Sequence, residues 1–372
     1  MKTLESQPER TLIDLFSGGG LFSWGFTRSS CGGAAWRVTA ALDHDAACCR
    51  SLAANFRSSR IVSADIALQD PNHWLAELRH EPGQIGLIHA SPPCTEFSPV
   101  NQTRSKDDGI FRTVFRWVEV WRPAVVCLEN VPAFRHVQGG SFHREVVAKL
   151  TSLGYRITDF TLQAAQFGVP QFRKRLFYLA YRSDFEIRPT APTPTHPSGQ
   201  DFVSVERAIG DLPSRLPGDD ADWVVVDGTD SNDPALGAFG LPVVTNGHAA
   251  RALNDVQIRR LKHLKPGQAW DALPDELQPN NGFRHCYGRL DPFQPAFTIT
   301  TGVGAPSRGC FSHYSQDRLI TFREAARLQS ISDDYILVGS RGERARIIGN
   351  AVPPLLAEAI RKCVDTDLGH FF

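Results

Sequence analysis

Short apolar runs alternate with helical patterns through the first half of this chain, and that alternation limits its fold more than any other feature. Strands separated by helices indicate β-α-β units, whose strands pair in parallel. The sequence therefore predicts an α/β fold built on a doubly wound, mostly parallel sheet. The predicted strands cover residues 11–16, 37–43, 61–65, 85–91, 125–131, 155–162 and 176–181. The predicted helices cover residues 45–55, 71–79, 111–121 and 142–153.

A second, smaller and irregular domain is predicted after residue 187. Residues 188–198 contain four prolines, a composition typical of a linker. From there to about residue 315 the chain shows no clear strand–helix alternation. Helices are predicted again at 322–330 and 354–364. We therefore divide the chain into residues 1–187, 188–325 and 326–372, with the last part returning to the first domain.

Composition is that of an ordinary soluble globular protein, with 42% hydrophobic and 22% charged residues in a chain of 372. The first ten residues are polar, so no signal peptide is predicted. No apolar run approaches the roughly 20 residues that span a bilayer. We expect a cytoplasmic protein without a membrane segment. The formal net charge is zero, which by itself gives no support for nucleic-acid binding.

Eight cysteines are spread along the chain, and no two form a C-x-x-C pair. This spacing argues against a zinc site and against a thioredoxin-type redox motif, so we expect no metal. In a cytoplasmic chain of this size most cysteines are reduced, small and buried. Only a specific local context can assign a chemical role to one of them.

Glycines and two acids follow the first three predicted strands. The first strand ends in Phe16, and residues 18–20 are all glycine, which lets a backbone turn approach a ligand closely. Asp43 ends the second strand, where a carboxylate can bind the two hydroxyls of a ribose, and Asp65 ends the third. The pattern favours a nucleoside-containing cofactor. A purely structural glycine turn is the alternative, and the absence of G-x-G-x-x-G argues against a dinucleotide.

A thiol, a carboxyl group and a cationic cluster follow the later strands. Cys94 comes after the fourth strand, and two prolines fix the backbone just before it. Glu129 ends the fifth strand, and residues 171–175 read Gln-Phe-Arg-Lys-Arg. The carboxyl ends of strands in an open α/β sheet bind ligands, so the thiol and the carboxyl group can act on the same ring. The cationic cluster could hold a phosphate or a base oxygen.

Six motifs occur in a fixed order over nearly the whole chain. They are F-x-G-x-G at 16–20, P-P-C at 92–94, E-N-V at 129–131, Q-x-R-x-R at 171–175, R-E-x-x-R-L-Q at 323–329 and G-N-A-V-P-P at 349–354. In these motifs the chain resembles the cytosine-5 DNA methyltransferases of the bacterial or phage restriction-modification type. The resemblance implies a Rossmann-like catalytic and cofactor-binding domain at 1–187 and a target-recognition domain at 188–325. It also implies S-adenosyl-L-methionine as cofactor and S-adenosyl-L-homocysteine as product.

The resemblance further implies roles for single residues. Cys94 would attack carbon 6 of a flipped-out cytosine, and Glu129 would hydrogen-bond nitrogen 3 and the exocyclic amine. Arg173 and Arg175 match the arginines near the flipped nucleotide, with Arg175 favoured for the base oxygen. The positions that match the cofactor pocket are Phe16, Gly18, Gly20, Asp43, Asp65, Pro93, Asn350 and Val352.

Three segments are expected to contact DNA. Residues 95–109 match the family loop that closes over flipped DNA, although their composition also suits a solvated loop. Residues 251–265 form a basic stretch that is equally well explained as a solvated helix face. Residues 298–302 resemble a threonine-rich segment of family recognition domains. The residues assigned to DNA contact are Ser98, Arg104, Lys106, Arg259, Arg260 and Thr300.

Double-stranded DNA is the expected partner, and the protein is expected to act as a monomer. The family type allows for a cognate restriction endonuclease that acts separately.

Three alternative functions stay open. A tRNA cytosine-5 methyltransferase shares the fold, but the Cys-Phe-Thr tripeptide that we associate with that branch is absent. A catalytically silent DNA-binding relative is disfavoured by intact Cys94, Glu129 and Arg175. A family member that transfers a modified group is the third.

Overall fold

The computed structural model describes residues 8–28, 35–93, 109–226, 242–280 and 285–372. The chain forms two compact units. Unit 1 comprises Met1–Gln163, Lys174–Thr193 and Leu356–Phe372, and unit 2 comprises Ala164–Arg173 and Pro194–Leu355. These boundaries differ from the three segments expected from the sequence. The assignment of catalysis and target recognition to those segments stays a prediction.

Unit 1 is built on a seven-stranded sheet with the strand order β3-β2-β1-β4-β5-β7-β6. β7 pairs antiparallel with both of its neighbours, and the other pairings are parallel. The predicted doubly wound, mostly parallel α/β fold is therefore confirmed. The strands are β1 (Glu9–Leu15), β2 (Arg37–Asp43), β3 (Arg60–Ser63), β4 (Ile85–Ala90), β5 (Val125–Asn130), β6 (Tyr155–Gln163) and β7 (Lys174–Arg182).

Helices connect these strands, and two of them begin at an aspartate that caps the helix. Asp45 and Asp70 each accept a hydrogen bond from the backbone N–H two residues ahead, which satisfies a donor that the first helical turn leaves free. The helices of unit 1 between the strands are α1 (Leu21–Thr27), α2 (Ala46–Asn55), α3 (Pro71–Glu77), α4 (Gly109–Trp121) and α5 (Ser141–Ser152). The sequence did not predict α1, because its short apolar run lacks the polar face that marks an amphipathic helix.

The strand order reverses beside β1, and this reversal determines where a ligand can bind. β1 lies between β2 and β4, so the chain leaves the carboxyl ends of β1 and β4 in opposite directions. Open α/β sheets bind ligands in the crevice that this divergence creates. Residues 16–20, here called the glycine turn, follow β1, and residues 91–93, here called the proline turn, follow β4.

The centre of the sheet is fully covered. β4 and β5 are buried at every position, and Trp117 and Trp121 of α4 belong to the same apolar core. The Trp121 indole Nε1 donates to the Pro71 carbonyl at 2.8 Å, so its polar atom is satisfied inside the protein. This packing gives the two turns a rigid base.

Unit 2 has little regular structure, and its buried charged side chains are paired with one another. Arg318 donates to both carboxylate oxygens of Glu324 at 2.7 and 2.6 Å, and Arg327 contacts both oxygens of Asp333 at 2.7–3.1 Å. Such two-point pairing offsets the cost of removing the charges from water. The regular elements are α6 (Val205–Ile209), β8 (Val224–Val226), β9 (Val243–Thr245), α7 (Asp255–His263), α8 (Phe322–Leu328) and α9 (Arg341–Asn350).

The chain ends with α10 (Pro354–Leu368), whose residues from Leu356 onward belong to unit 1. Within the five described ranges, no helix is long and apolar enough to cross a bilayer.

Candidate active site

The glycine turn has a backbone conformation that favours glycine. Gly18 and Gly20 have positive φ angles of 53° and 75°, and Gly20 is the residue that precedes α1. A Cβ on Gly20 would lie 2.3 Å from Cδ2 of Leu52, so a side chain there would collide with α2. A Cβ on Gly18 would meet no described atom within 4 Å. The turn is therefore packed on the side of Gly20 and open on the side of Gly18.

Asp43 fixes the glycine turn through both of its carboxylate oxygens. Oδ2 accepts the Gly18 N–H and Oδ1 accepts the Asp45 N–H, each at 2.8 Å. Burial raises the pKa of Asp43, while these two backbone hydrogen bonds act in the opposite direction. Each oxygen retains a second lone pair, so the ribose contact predicted for Asp43 is compatible with this role.

The other predicted cofactor residues of unit 1 lie at the same edge of the sheet. Phe16 is half-buried against the core and has a positive φ of 54°. Asp65 follows β3 and is exposed, and its carboxylate accepts the Ala67 N–H at 2.9 Å. Pro93 is exposed in the proline turn.

Glu129 and Arg175 form an ion pair on neighbouring strands. Glu129 of β5 lies opposite Phe177 of β7, and Arg175 is two residues from Phe177, so both side chains project from the same face of the sheet. Arg175 Nε lies 2.7 Å from Glu129 Oε1, and the two side chains are only 14% and 9% exposed. A carboxyl group and a guanidinium held together in this way can bind the polar edge of a base.

Asn130 connects β5 to the proline turn. Its Nδ2 donates to the Pro92 carbonyl at 3.3 Å, and its Oδ1 accepts the Val131 N–H at 2.8 Å. The E-N-V motif therefore contributes a residue that holds the backbone leading to Cys94. Four predicted site residues lie outside the described residues, namely Cys94, Ser98, Arg104 and Lys106.

Arg173 lies inside unit 2, where it is 1% exposed. Its Nη1 donates to the Ile299 carbonyl and its Nη2 to the Gly349 carbonyl, both at 2.8 Å. Gln171 accepts the Ile299 N–H at 2.8 Å and donates to Gln329 Oε1 at 3.0 Å. A buried polar network thus joins three of the family-like motifs to the threonine-rich segment. The nucleotide contact expected of Arg173 stays a prediction, and its observed contacts position chain segments.

The threonine-rich segment packs directly against α9. A Cβ on Gly349 would lie 2.1 Å from the Thr301 nitrogen, so only glycine permits this approach. Thr300 is exposed, and its Oγ1 accepts the Gly302 N–H at 3.2 Å. After Gly349, Asn350 is exposed and Val352 is buried. The cofactor contact of these last two residues stays a prediction.

The two arginines predicted to bind DNA differ in their surroundings. Arg259 is exposed on α7, whose basic side chains lie mainly in the last turn. Arg260 is half-buried, its Nε donates to the Leu277 carbonyl at 2.6 Å, and its guanidinium lies 4.7 Å from the Tyr287 ring centroid. Arg259 is therefore the better placed of the two to reach a ligand.

Two features of this edge were not predicted as site residues. Asn130 is one, and the other is a buried pair in which His89 Nδ1 lies 2.7 Å from Asp14 Oδ1. Each of these polar residues is buried within a strand, and buried polar groups are nearly always paired. A polar residue within a buried strand is therefore the sequence pattern that could have indicated Asn130 and the pair of Asp14 and His89.

The unit 1 residues described above fit a cofactor that contains a nucleoside. The carboxylate of Asp43 can accept hydrogen bonds from ribose hydroxyls, and the ring of Phe16 is half-buried beside the same crevice. The open side of Gly18 leaves room for a close approach to the backbone. A nucleoside sulfonium such as S-adenosylmethionine satisfies this donor and acceptor set.

Sequence comparison gives a family for the chain. The model of the C-5 cytosine-specific DNA methylases matches residues 10–365. The type II methyltransferase M1.HphI of Haemophilus parahaemolyticus is 29% identical over 359 residues, which cover 95% of this chain and 86% of that protein. The type II methyltransferase M.AgeI of Thalassovita gelatinovora is 27% identical over 431 residues, which cover 95% and 98%.

Solved structures share the fold. A prophage-encoded protein from E. coli, described as a DNA modification methyltransferase, superposes with a TM-score of 0.75 at 23% identity over 96% of this chain and 99% of that one. A mutant of Spodoptera frugiperda DNMT2 superposes with a TM-score of 0.61 at 15% identity over 96% and 99%. Since the family model covers nearly the whole sequence, this chain belongs to the C-5 cytosine-specific DNA methylase family.

Proposed function

We propose that this protein transfers a methyl group from S-adenosyl-L-methionine to carbon 5 of cytosine in double-stranded DNA, with Cys94 as the covalent nucleophile. Family membership supports the type of reaction. The observation that carries the assignment of residues is the ion pair of Glu129 and Arg175, whose atoms lie 2.7 Å apart. The neighbouring Asn130 binds the proline turn that leads to Cys94.

The proposed chemistry begins with the Cys94 thiolate. It adds to carbon 6 of cytosine, and the electrons of the C5=C6 bond move to carbon 5, which becomes nucleophilic. Glu129 holds a proton at nitrogen 3, which stabilises the charge that the ring gains, and Arg175 donates to the base oxygen. After methylation, carbon 5 loses its hydrogen as a proton to water, the C5=C6 bond forms again and sulfur leaves with the C–S electron pair. The proton at nitrogen 3 then returns to Glu129.

S-adenosylmethionine supplies an electrophilic methyl group when it is bound. Asp43 would accept hydrogen bonds from the ribose, the Phe16 ring would pack against the adenine, and the backbone at Gly18 would lie beside the methionine part. Asp65 and Pro93 line the same edge. A stacked cytosine cannot reach these groups, so the base must leave the helix at a cost of about a few kcal/mol.

DNA binding is proposed for residues of unit 2 and of the family loop. Arg259 contacts phosphate and Thr300 faces the DNA, because both are exposed on unit 2. Ser98, Arg104 and Lys106 are assigned to the same role from the family loop, while Arg260 acts mainly by fixing α7. The protein is proposed to act as a cytoplasmic monomer, with a restriction endonuclease as a separate partner.

The test is transfer of a labelled methyl group from S-adenosylmethionine to duplex DNA, with tRNA as the alternative substrate. The wild-type protein should form 5-methylcytosine in DNA only. Cys94→Ser should lose nearly all turnover and still bind the cofactor, because the hydroxyl is a far weaker nucleophile than a thiolate. Bisulfite sequencing of the product would give the recognition sequence.

A matched control is Cys363→Ser. Cys363 is half-buried on α10, and burial raises its pKa to about 11, so it is not a reactive thiolate at neutral pH. This variant should retain full turnover. Normal turnover in Cys94→Ser would contradict the nucleophile, and transfer to tRNA alone would support the tRNA branch.

A further inference from the structure

A buried polar chain connects β1, β4 and the proline turn, and the proposed chemistry does not use it. His89 Nδ1 lies 2.7 Å from Asp14 Oδ1, and His89 Nε2 lies 3.1 Å from Ser91 Oγ. Asp14 is fully buried and His89 is 2% exposed. Ser91 is half-buried at the start of the proline turn, three residues before Cys94. Asp14, His89 and Ser91 are here called the histidine chain.

The hydrogen bonds of the histidine chain are complete when the imidazole carries its hydrogen on Nδ1. Nδ1–H donates to Asp14, and Nε2 then accepts the Ser91 hydroxyl proton. The other oxygen of Asp14 accepts the hydroxyl of Ser23, which lies on α1. The same sequence of carboxylate, imidazole and hydroxyl orients a side chain in many enzymes, because the carboxylate fixes both the tautomer and the ring.

The imidazole ring is also fixed by stacking. Phe22 of α1 lies parallel to it, with the ring centroids 3.5 Å apart and an angle of 2° between the planes. Phe22 and Ser23 follow the glycine turn by only a few residues. The imidazole thus contacts Phe22 of α1 through its face and Asp14 of β1 through Nδ1. The histidine chain therefore joins the glycine turn, which follows β1, to the proline turn, which follows β4.

Among the described residues, three contacts hold the proline turn. The Ser91 hydroxyl contacts His89, the Ser91 N–H donates to the Leu15 carbonyl at 3.4 Å, and the Pro92 carbonyl accepts from Asn130. Of these contacts, the first alone connects the turn to a buried carboxylate. Because the two prolines leave little backbone freedom, the direction of Ser91 determines the direction of Pro92 and Pro93.

We propose that Asp14, His89 and Ser91 are positioning residues that set the orientation of the proline turn and hence of the thiol of Cys94. The proposal rests on the proposed function, since it assumes that Cys94 is the nucleophile. A misplacement of about 1 Å can reduce a rate about 100-fold, so a modest rotation of this turn affects turnover. The hydrogen bond between His89 and Ser91 is the outermost one of the histidine chain. It can be removed without opening the core.

The experiment is a double-mutant cycle on that bond with Ser91→Ala, His89→Asn and the double variant, measured as labelled methyl transfer to duplex DNA. Ser91→Ala should lower kcat by about tenfold, a typical effect of one lost hydrogen bond, and leave KM for the cofactor within about twofold. His89→Asn can keep a donor toward Asp14 but cannot reach Ser91. The double variant should therefore be no slower than the slower single variant.

The controls separate positioning from general stability. Ser59→Ala removes a half-buried hydroxyl that donates to the Val38 carbonyl at 2.7 Å, away from both turns, and should keep full turnover. Ser91→Thr retains the hydroxyl and should restore turnover to within about twofold of wild type. The thermal midpoint of Ser91→Ala should stay within about 2 °C of wild type.

Normal kcat in Ser91→Ala, or losses that multiply in the double variant, would overturn the positioning role. If His89→Asn does not fold, the two Ser91 variants decide the question, because Ser91 is only half-buried. Failure of the proposed function looks different, since the wild-type protein would then form no 5-methylcytosine at all. If the wild type is active, Cys94→Ser is inactive and Ser91→Ala is unaffected, the positioning role alone is wrong.

Discussion

At the scale of single residues, Glu129 and Arg175 bring a carboxyl group and a guanidinium together on neighbouring strands. Arg175 Nε lies 2.7 Å from Glu129 Oε1, and both side chains are mostly buried. The pairing of β5 with β7 brings these two side chains together although they are far apart in sequence, as the proposed binding of one base requires.

Glu129→Gln should lower kcat by about 100-fold or more, because the amide cannot supply a proton to the ring. Cofactor affinity should be unchanged, since Glu129 does not lie on the glycine turn. Single-turnover methyl transfer and cofactor binding measure the two effects. Glu77→Gln, which alters an exposed carboxylate paired with Arg60, is the matched control and should be fully active. Turnover of Glu129→Gln within about threefold of wild type would contradict the role.

Arg173→Lys should destabilise unit 2 by about 2–3 kcal/mol, because lysine lacks the planar fork whose two nitrogens separately reach the carbonyls of Ile299 and Gly349. Hydrogen exchange at the Ile299 N–H measures this loss locally. If Arg173→Lys is as stable as wild type but loses turnover, the side chain contacts the nucleotide directly, and the positioning interpretation is wrong.

At the scale of elements, the sequence predicted the strands of unit 1 well and the elements of unit 2 poorly. Parallel strands are buried on both faces and appear as continuous apolar runs, as in β4 and β5. The sequence did not predict α9, which begins at Arg341, because its first turns carry charged residues and Gly342 and show no apolar face. Short strands such as β8 give too few residues for a period to be visible.

The packing of α9 against the threonine-rich segment gives a prediction at this scale. Gly349→Ala should destabilise unit 2 by about 1–3 kcal/mol, because the new Cβ would lie 2.1 Å from a backbone nitrogen and the segment must move. Gly342→Ala on the same helix has open space and should be neutral or stabilising. Chemical denaturation of both variants provides the comparison. Equal stability of the two would contradict the packing account.

At the scale of the whole molecule, several contacts that define the site could not be predicted, because they join distant parts of the chain. Asp14 and His89 are 75 residues apart, and Arg173 binds carbonyls 126 and 176 residues away. Residues 164–173 belong to unit 2 although β6 and β7 on either side belong to unit 1. The site residues named from the motifs stay predictions, and the contacts of Asn130 and Arg173 required coordinates.

The buried histidines of unit 2 predict how stability depends on pH. Burial lowers the pKa of His313 to about 4 and also lowers the pKa of His248. The unfolded chain takes up a proton near the ordinary histidine pKa of about 6.5, so between that pH and about 4 it binds more protons than the folded chain. The unfolding free energy should therefore fall as the pH decreases through this window, by about 2 kcal/mol for His313 at pH 5.

Denaturation of wild type and His313→Gln at pH 7 and pH 5 checks this expectation. The variant should show a smaller loss of stability on acidification than wild type, because it has one fewer group to protonate on unfolding. An equal or larger loss in the variant would show that His313 is not the source of the pH dependence.

The covalent bond between Cys94 and cytosine is the central claim, and trapping it is the most direct measurement. Duplex DNA that contains 5-fluorocytosine at the recognition site should be incubated with the protein and cofactor, because fluorine blocks the loss of the group on carbon 5 and stops the elimination. Peptide mass spectrometry should then find a methylated fluorocytosine adduct on Cys94, and Cys94→Ser should form none. An adduct on another residue, or methylation of ordinary DNA without any adduct, would contradict the account.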